Sequence, residues 1–263
     1  MSTSALVVAH PGHELRVFHW MERARPLYCS LTEGSGGAGA SRMASTDAVL
    51  AGVGARRGPV YGRYTDREIY QLLLNGRVDV FVTLAHELAD ALVAAGVDLV
   101  AADAVEGFNP SHDVCRLVVD GAVAMAARQT GRTIVAREFV LDGSPDACPE
   151  ALRADATWLR LDDAALDRKI AAALAYPELR DEVDAALARF GSAAFAVECL
   201  RPVTTAAVLD GFDHDAPGYE RFGARRVGEG RYADVIRYRE HVLPVRRAIE
   251  AAAAAGVDRA VGG

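Results

Sequence analysis

The chain has 263 residues, is 51% apolar and 25% charged, and sets 29 basic against 36 acidic side chains for a formal net charge of −7. This is the composition of a globular protein, and its acidic balance excludes a general nucleic-acid-binding surface. No apolar run reaches the roughly 18–20 residues that span a bilayer, and no basic segment leads into an apolar core and cleavage site at the N-terminus.

Residues 5–9 form an unbroken apolar run, which predicts a parallel strand buried on both faces. His10, Pro11, Gly12, His13 and Glu14 follow at once. Pro11 suits a first helical turn, so the pattern reads strand, turn, then a helix over 14–24 with Leu15, Phe18 and Met21 on its buried side. His10, His13 and Glu14 then stand at the carboxyl end of the strand, the edge of an open α/β sheet where ligands bind. Two imidazoles three residues apart can turn to one point and share a divalent metal; polar turn chemistry is the competing reading.

Residues 27–32 read as a second strand, and the β-α-β opening predicts a right-handed crossover and a parallel sheet. In the glycine-rich loop 33–42, Gly34, Gly36 and Gly39 satisfy GxGxxG. A dinucleotide fold places that pattern after the first strand and an acid after the next. Here it follows the second, with no such acid. The loop therefore reads as lining a substrate pocket, with Gly34 and Arg42 as its binding residues and Arg42 offered to an anionic or polyhydroxyl group.

Helices are expected over 43–55, 66–76 and 79–95, with His86 and Glu87 as a solvated pair on the last and a catalytic role as the competing reading. A third strand, 97–101, runs into the segment 103–113. Ser111 reads as the N-cap of a strongly periodic helix, which places His112 and Asp113 in its first turn, a third imidazole at the same sheet edge. Asp113 also suits a helix N-terminus on charge grounds alone. A strand at 133–141, a loop over 142–149, helices over 162–175 and 178–190 and a late strand at 195–200 come next. Residues 203–230 read as a loop of lid or binding type, with Asp213, His214 and Asp215 as a solvated turn and a second metal site as the competing reading. A final helix covers 231–255, interrupted at Pro244.

These elements predict an α/β, Rossmann-like fold: a mostly parallel sheet sandwiched by helices, with a helical C-terminal extension. Residues 1–145 form the metal-binding core, and 146–263 complete the same domain. The four cysteines (Cys29, Cys115, Cys148, Cys199) include no CxxC pair and read as reduced thiols of a cytoplasmic protein.

Ala9-His10-Pro11-Gly12-His13-Glu14 resembles the Ala-His-Pro-Asp-Asp-Glu motif that opens the PIG-L/LmbE family of zinc-dependent N-deacetylases, at four of six positions. Thr32, Gly34 and Arg42 resemble that family's Thr-x-Gly loop, and Asn109-Pro110-Ser111-His112 resembles its later His-Pro-Asp-His. The likeness covers roughly residues 4–130. It implies Zn2+ or another divalent ion held by His10, His13 and His112, with His13 in place of a ligating Asp. It also marks departures. Gly12 stands where the family has the Asp that takes a proton from water, and glycine does no acid–base work. Asn109 replaces a His that steadies the oxyanion, a task an amide N–H can still perform. Ser45 stands at a position often held by Glu. Glu14 and Asp113 are the nearest carboxylates for the missing base, each with structural hydrogen bonding as its competing role.

The resemblance thus implies a cytoplasmic zinc-dependent hydrolase, deacetylase-like, that acts on an amide of a small polar sugar-like or specialised-metabolite substrate. Glu14, Asp113 and Asn109 are its candidate catalytic residues. Partners are a small-molecule substrate, with neither nucleic acid nor membrane, and a homo-oligomer is compatible with the sequence. Three alternatives stay open: a metal-dependent rearrangement, elimination or condensation on the same scaffold; a binding protein on a degenerate scaffold; and a nucleotide-binding enzyme that uses the Gly34–Gly39 loop.

Overall fold

The structure is a computed structural model that describes residues 3–36 and 39–255. Among the described residues, seven strands form one sheet: β1 (Ser4–Val8), β2 (Leu27–Thr32), β3 (Arg56–Tyr64), β4 (Leu99–Asp103), β5 (Val135–Phe139), β6 (Thr157–Arg160) and β7 (Val197–Pro202). Their order is β3-β2-β1-β4-β5-β7-β6. β1 to β5 pair in parallel, β7 runs antiparallel to β5, and β6 runs antiparallel to β7. The fold is α/β with a mostly parallel sheet, and residues after 146 add two strands to that same sheet.

Ten helices among the described residues accompany the sheet: α1 (Phe18–Ala24), α2 (Met43–Val53), α3 (Asp66–Leu74), α4 (Val78–Ala94), α5 (Pro110–Thr130), α6 (Asp163–Leu174), α7 (Arg180–Phe190), α8 (Thr205–Gly211), α9 (Gly218–Gly228) and α10 (Leu243–Ala255). The unbroken apolar run of β1 has a direct cause. Ala5, Val7 and Ala9 pack into a core built with α4, α5 and α10, while Leu6 and Val8 pack into another with α1 and α2. No helix among the described residues is long and apolar enough to cross a membrane.

The chain leaves β1 toward β2 on one side, and β4 lies on the other. Their carboxyl ends flank the point where strand order reverses, the usual crevice of such sheets.

Several expectations need correction. Pro11 does not open a helix: Gly12 takes φ +103°, a 3-10 turn runs His13–Val17, and α1 begins only at Phe18. The N-cap of α5 is Asn109, whose side-chain oxygen accepts from Ser111 N at 2.9 Å, with Pro110 as the first helical residue. Residues 203–230 are not one loop but carry α8 and α9. The last helical segment begins at Tyr238, as a π-turn to Val242 that runs into α10, rather than at 231. β3 and β6 were not foreseen. β3 is an edge strand with register shifts against β2, where Pro59 is tolerated because an edge leaves one row of N–H groups unpaired.

Candidate metal centre

Two turns at the switch point deliver three imidazoles. The turn after β1 carries His10 and His13; the first turn of α5, reached from β4, carries His112. Ring centroids lie 5.2 Å apart for His10 and His13, 4.9 Å for His10 and His112, and 4.7 Å for His13 and His112. Imidazoles that share one tetrahedral ion, at metal–nitrogen distances of about 2.0–2.1 Å, have centroids about 5 Å apart. The spacing is that of a tripod. The donor atoms are not drawn together: among the described residues no group of three or more His, Cys, Asp or Glu already stands as a cage.

Two carboxylates that the sequence reading missed hold these rings. Asp103, the last residue of β4, is fully buried. Its Oδ2 accepts from Ala9 N at 2.7 Å and lies 2.8 Å from His13 Nδ1. His10 Nδ1 lies between Thr32 Oγ1 at 2.8 Å and Asp66 Oδ1 at 2.7 Å. Asp66 comes from the first turn of α3, opened by a capping box between Thr65 and Glu68. A ring that donates from Nδ1 to a carboxylate keeps Nε2 for a ligand, and metal-binding imidazoles are oriented in this way. His10 Nε2 and His112 Nδ1 are both buried without a hydrogen-bond partner. Buried polar atoms left bare are costly, and a cation bound between the rings would satisfy these two.

Burial lowers the pKa of His10, against the pull of Asp66, and lowers that of His112 further, with His13 and His10 adding to the effect. Both rings are therefore neutral near pH 7, the ligating form. Asp66 moves the other way from what burial alone would do. The hydrogen bond from His10 Nδ1, with further ones from Thr32 and Gly36 N, holds the carboxyl below the usual carboxylate range. Three imidazoles over two carboxylates make a donor set suited to a divalent cation.

The other sequence-derived residues sit as follows. Glu14 is fully buried, accepts from Gly12 N at 2.6 Å and Tyr28 OH at 3.2 Å on one oxygen, and from Thr46 Oγ1 at 2.7 Å on the other. Burial raises its pKa. Asp113 accepts from Glu106 N and Gly107 N, both at 3.3 Å, and burial raises it to about 7. Neither is arranged as a free base: one ties down the first turn, the other the second. Asn109 Oδ1 also accepts from Tyr70 OH at 3.3 Å, so its amide N–H2 is the free end. Gly34, at φ +73°, packs against Pro11 and the Arg42 stem, where a side chain would stand 3.0 Å and 2.9 Å from them. The Arg42 guanidinium lies 3.8 Å from Glu182. Two residues of the loop 33–42, numbers 37 and 38, lie outside the described residues. His86 and His214 are exposed on their own surfaces.

Gly12 has a neighbour the sequence could not show. A side chain added there would run into Leu179, which lies just before α7. The segment 176–182 seats on this turn through more contacts: Tyr176 OH reaches Thr46 at 2.9 Å, and Ser45 Oγ donates to Glu178 at 2.6 Å. The place of the family's Asp is filled, not vacant.

No family model matches the chain, and no curated protein matches it. Its fold matches solved structures. The conserved protein TT1542 from Thermus thermophilus superposes with a TM-score of 0.54 at 18% identity, over 77% of this chain and 95% of that one. The A40926 pseudoaglycone deacetylase Dbv21 gives 0.54 at 20%, over 78% and 98%. The zinc-inhibited form of teicoplanin deacetylase Orf2 gives 0.51 at 14%, over 76% and 96%. The chain thus has the fold of these deacetylases, the fold that the resemblance to the PIG-L/LmbE family implied.

Proposed function

We propose that this protein is a divalent-metal-dependent amide hydrolase that removes an acyl group from an N-acylated small polar molecule, with His10, His13 and His112 as the ligands. One observation carries the reading: three imidazoles from turns about a hundred residues apart meet at tripod spacing. Fold neighbours that are deacetylases of A40926 pseudoaglycone and teicoplanin support it, and make an N-acylated specialised metabolite the first substrate class to try. A divalent cation at the triad supplies Lewis acidity, which polarises an amide carbonyl and lowers the pKa of water.

The protein's own groups do the rest. Asp103 and Asp66 orient two of the three rings. Asn109, its oxygen engaged by Ser111 N and Tyr70, offers its amide N–H2 to a developing oxyanion. These same two carboxylates stand beside the rings, and their exposure separates them. The Asp103 side chain is fully enclosed, whereas that of Asp66 is 15% exposed. Asp66 is therefore the carboxylate that can meet substrate, where it would stay ionised and accept hydrogen bonds.

A second reading has its own observation. The motif carboxylate is absent at Gly12 and Leu179 fills its place. The same ion could then serve a reaction that moves no proton from water, such as an elimination or condensation. The test loads the protein with zinc, cobalt(II) or manganese(II) and measures amine release from a panel of N-acylated hexosamines and aminocyclitols. The hydrolase reading expects release that chelation abolishes, and that Asp66→Asn lowers per bound metal ion. Full occupancy with no amine released overturns hydrolysis and leaves the second reading; failure to take up metal overturns both.

A further inference from the structure

Phe108 is the most exposed large apolar side chain among the described residues, at 64%. It stands at the centre: its ring centroid lies 6.2 Å from that of His112, tilted by 47°. An exposed aromatic ring on a slack loop would mean little, but this one is rigidly presented. Gly107 before it has φ +63°, and a side chain there would stand 2.7 Å from Phe212 and 3.0 Å from Pro217. Gly107 O accepts from Tyr219 N at 3.0 Å. Asp113 holds the N–H groups of Glu106 and Gly107, and the Glu106 carboxylate accepts from Leu141 N at 2.8 Å. On the other side Asn109 caps α5. Both neighbours of Phe108 are fixed, so covering its ring orders no backbone.

We propose that Phe108 is a stacking platform for a ring in the amine portion of the substrate, laid with its flat face on the phenyl ring while the acyl amide reaches the three imidazoles. This rests on the hydrolase reading for the group that reacts, but not for the binding itself. A single flat aromatic face matches another flat face; a flexible chain would need a groove. Two sources share that chemistry: a saturated polyol ring presenting its C–H face, and an aromatic ring.

The experiment measures binding by calorimetry on the metal-loaded protein, apart from turnover. N-acetylglucosamine, its ring-opened alditol and acetanilide are the probes, with wild type, Phe108→Ala and Phe108→Trp. The wild type should favour a ring over the alditol, and Phe108→Ala should lower that preference about tenfold, the weight of one well-stacked aromatic pair. Phe108→Trp should restore it, with metal content unchanged throughout. Loss on N-acetylglucosamine assigns a saturated ring, and loss on acetanilide an aromatic one. Absence of ring preference in the wild type, or equal loss for ring and alditol, overturns the platform. So does a change of oligomeric mass in Phe108→Ala, which would make the ring an interface between copies. Phe108-dependent binding without any amine release leaves the platform standing and sinks hydrolysis.

Discussion

The turn after β1 and the turn after β4 meet at one sheet edge, yet they are built to opposite plans. The first is closed from below. Glu14 lies under Gly12 with donors on both oxygens, Leu179 packs on Gly12, and each imidazole it carries has a carboxylate beside Nδ1. The second is clamped through its backbone but open at its side chains. It leaves Phe108 in solvent, and His112 Nδ1 has no hydrogen-bond partner. Anchored rings bind metal more tightly than free ones. On the proposed reading the first turn would fix the ion, and the second would complete the site and face the substrate.

Replacing single imidazoles tests that division most severely. Alanine at His10, His13 or His112 should each lower amine release by at least about a thousandfold. The losses in metal affinity should differ: His10 and His13 are each held by a carboxylate and His112 is not, so loss of either should exceed the loss at His112. Metal content after dialysis and cobalt(II) titration read this directly. Equal affinity losses at all three would end the comparison.

Restoring the family's residue is the next largest perturbation. Gly12→Asp forces a side chain onto φ +103° and into Leu179. It should destabilise the fold by about 2–3 kcal/mol, from backbone strain plus overpacking, and yield no gain in hydrolysis. Adding Leu179→Ala should recover the overpacking share but not the strain. Urea denaturation of the single and double variants measures both. A stable, more active Gly12→Asp would show that the first turn is less closed than its contacts indicate.

Legibility followed locality. β1, β2, β4 and β5 and the helices packed on them stood out because each buries residues at its own period. The three imidazoles could be singled out because each follows a strand at the sheet edge where ligands bind. Asp66 and Asp103 were missed because their roles are set by partners far along the chain. A signal existed for each: Asp103 ends a strand beside the switch point, and Thr65–Glu68 spells a capping box that puts Asp66 in a first turn. Asn109 rather than Ser111 was available as the cap, since Pro110 fits the first helical position and places the cap before it. β6 has four residues and β3 an edge with Pro59, so neither shows a clean alternation. Leu179 over Gly12 could not be read at all, because nothing in either segment names the other.

The gentlest probe separates two roles of one residue in the second turn. Asn109 caps α5 through its oxygen and leaves its amide N–H2 free. Aspartate caps as well as asparagine but carries no donor when ionised. Asn109→Ala should lose about 1 kcal/mol of stability along with the donor. Asn109→Asp should keep the stability and lose only the donor, which lowers kcat about tenfold if that amide steadies the oxyanion, at the weak end for such a group. Thermal denaturation and steady-state kinetics on the same preparations decide it. If Asn109→Asp turns over like the wild type while Asn109→Ala is impaired in both respects, the side chain serves the helix alone.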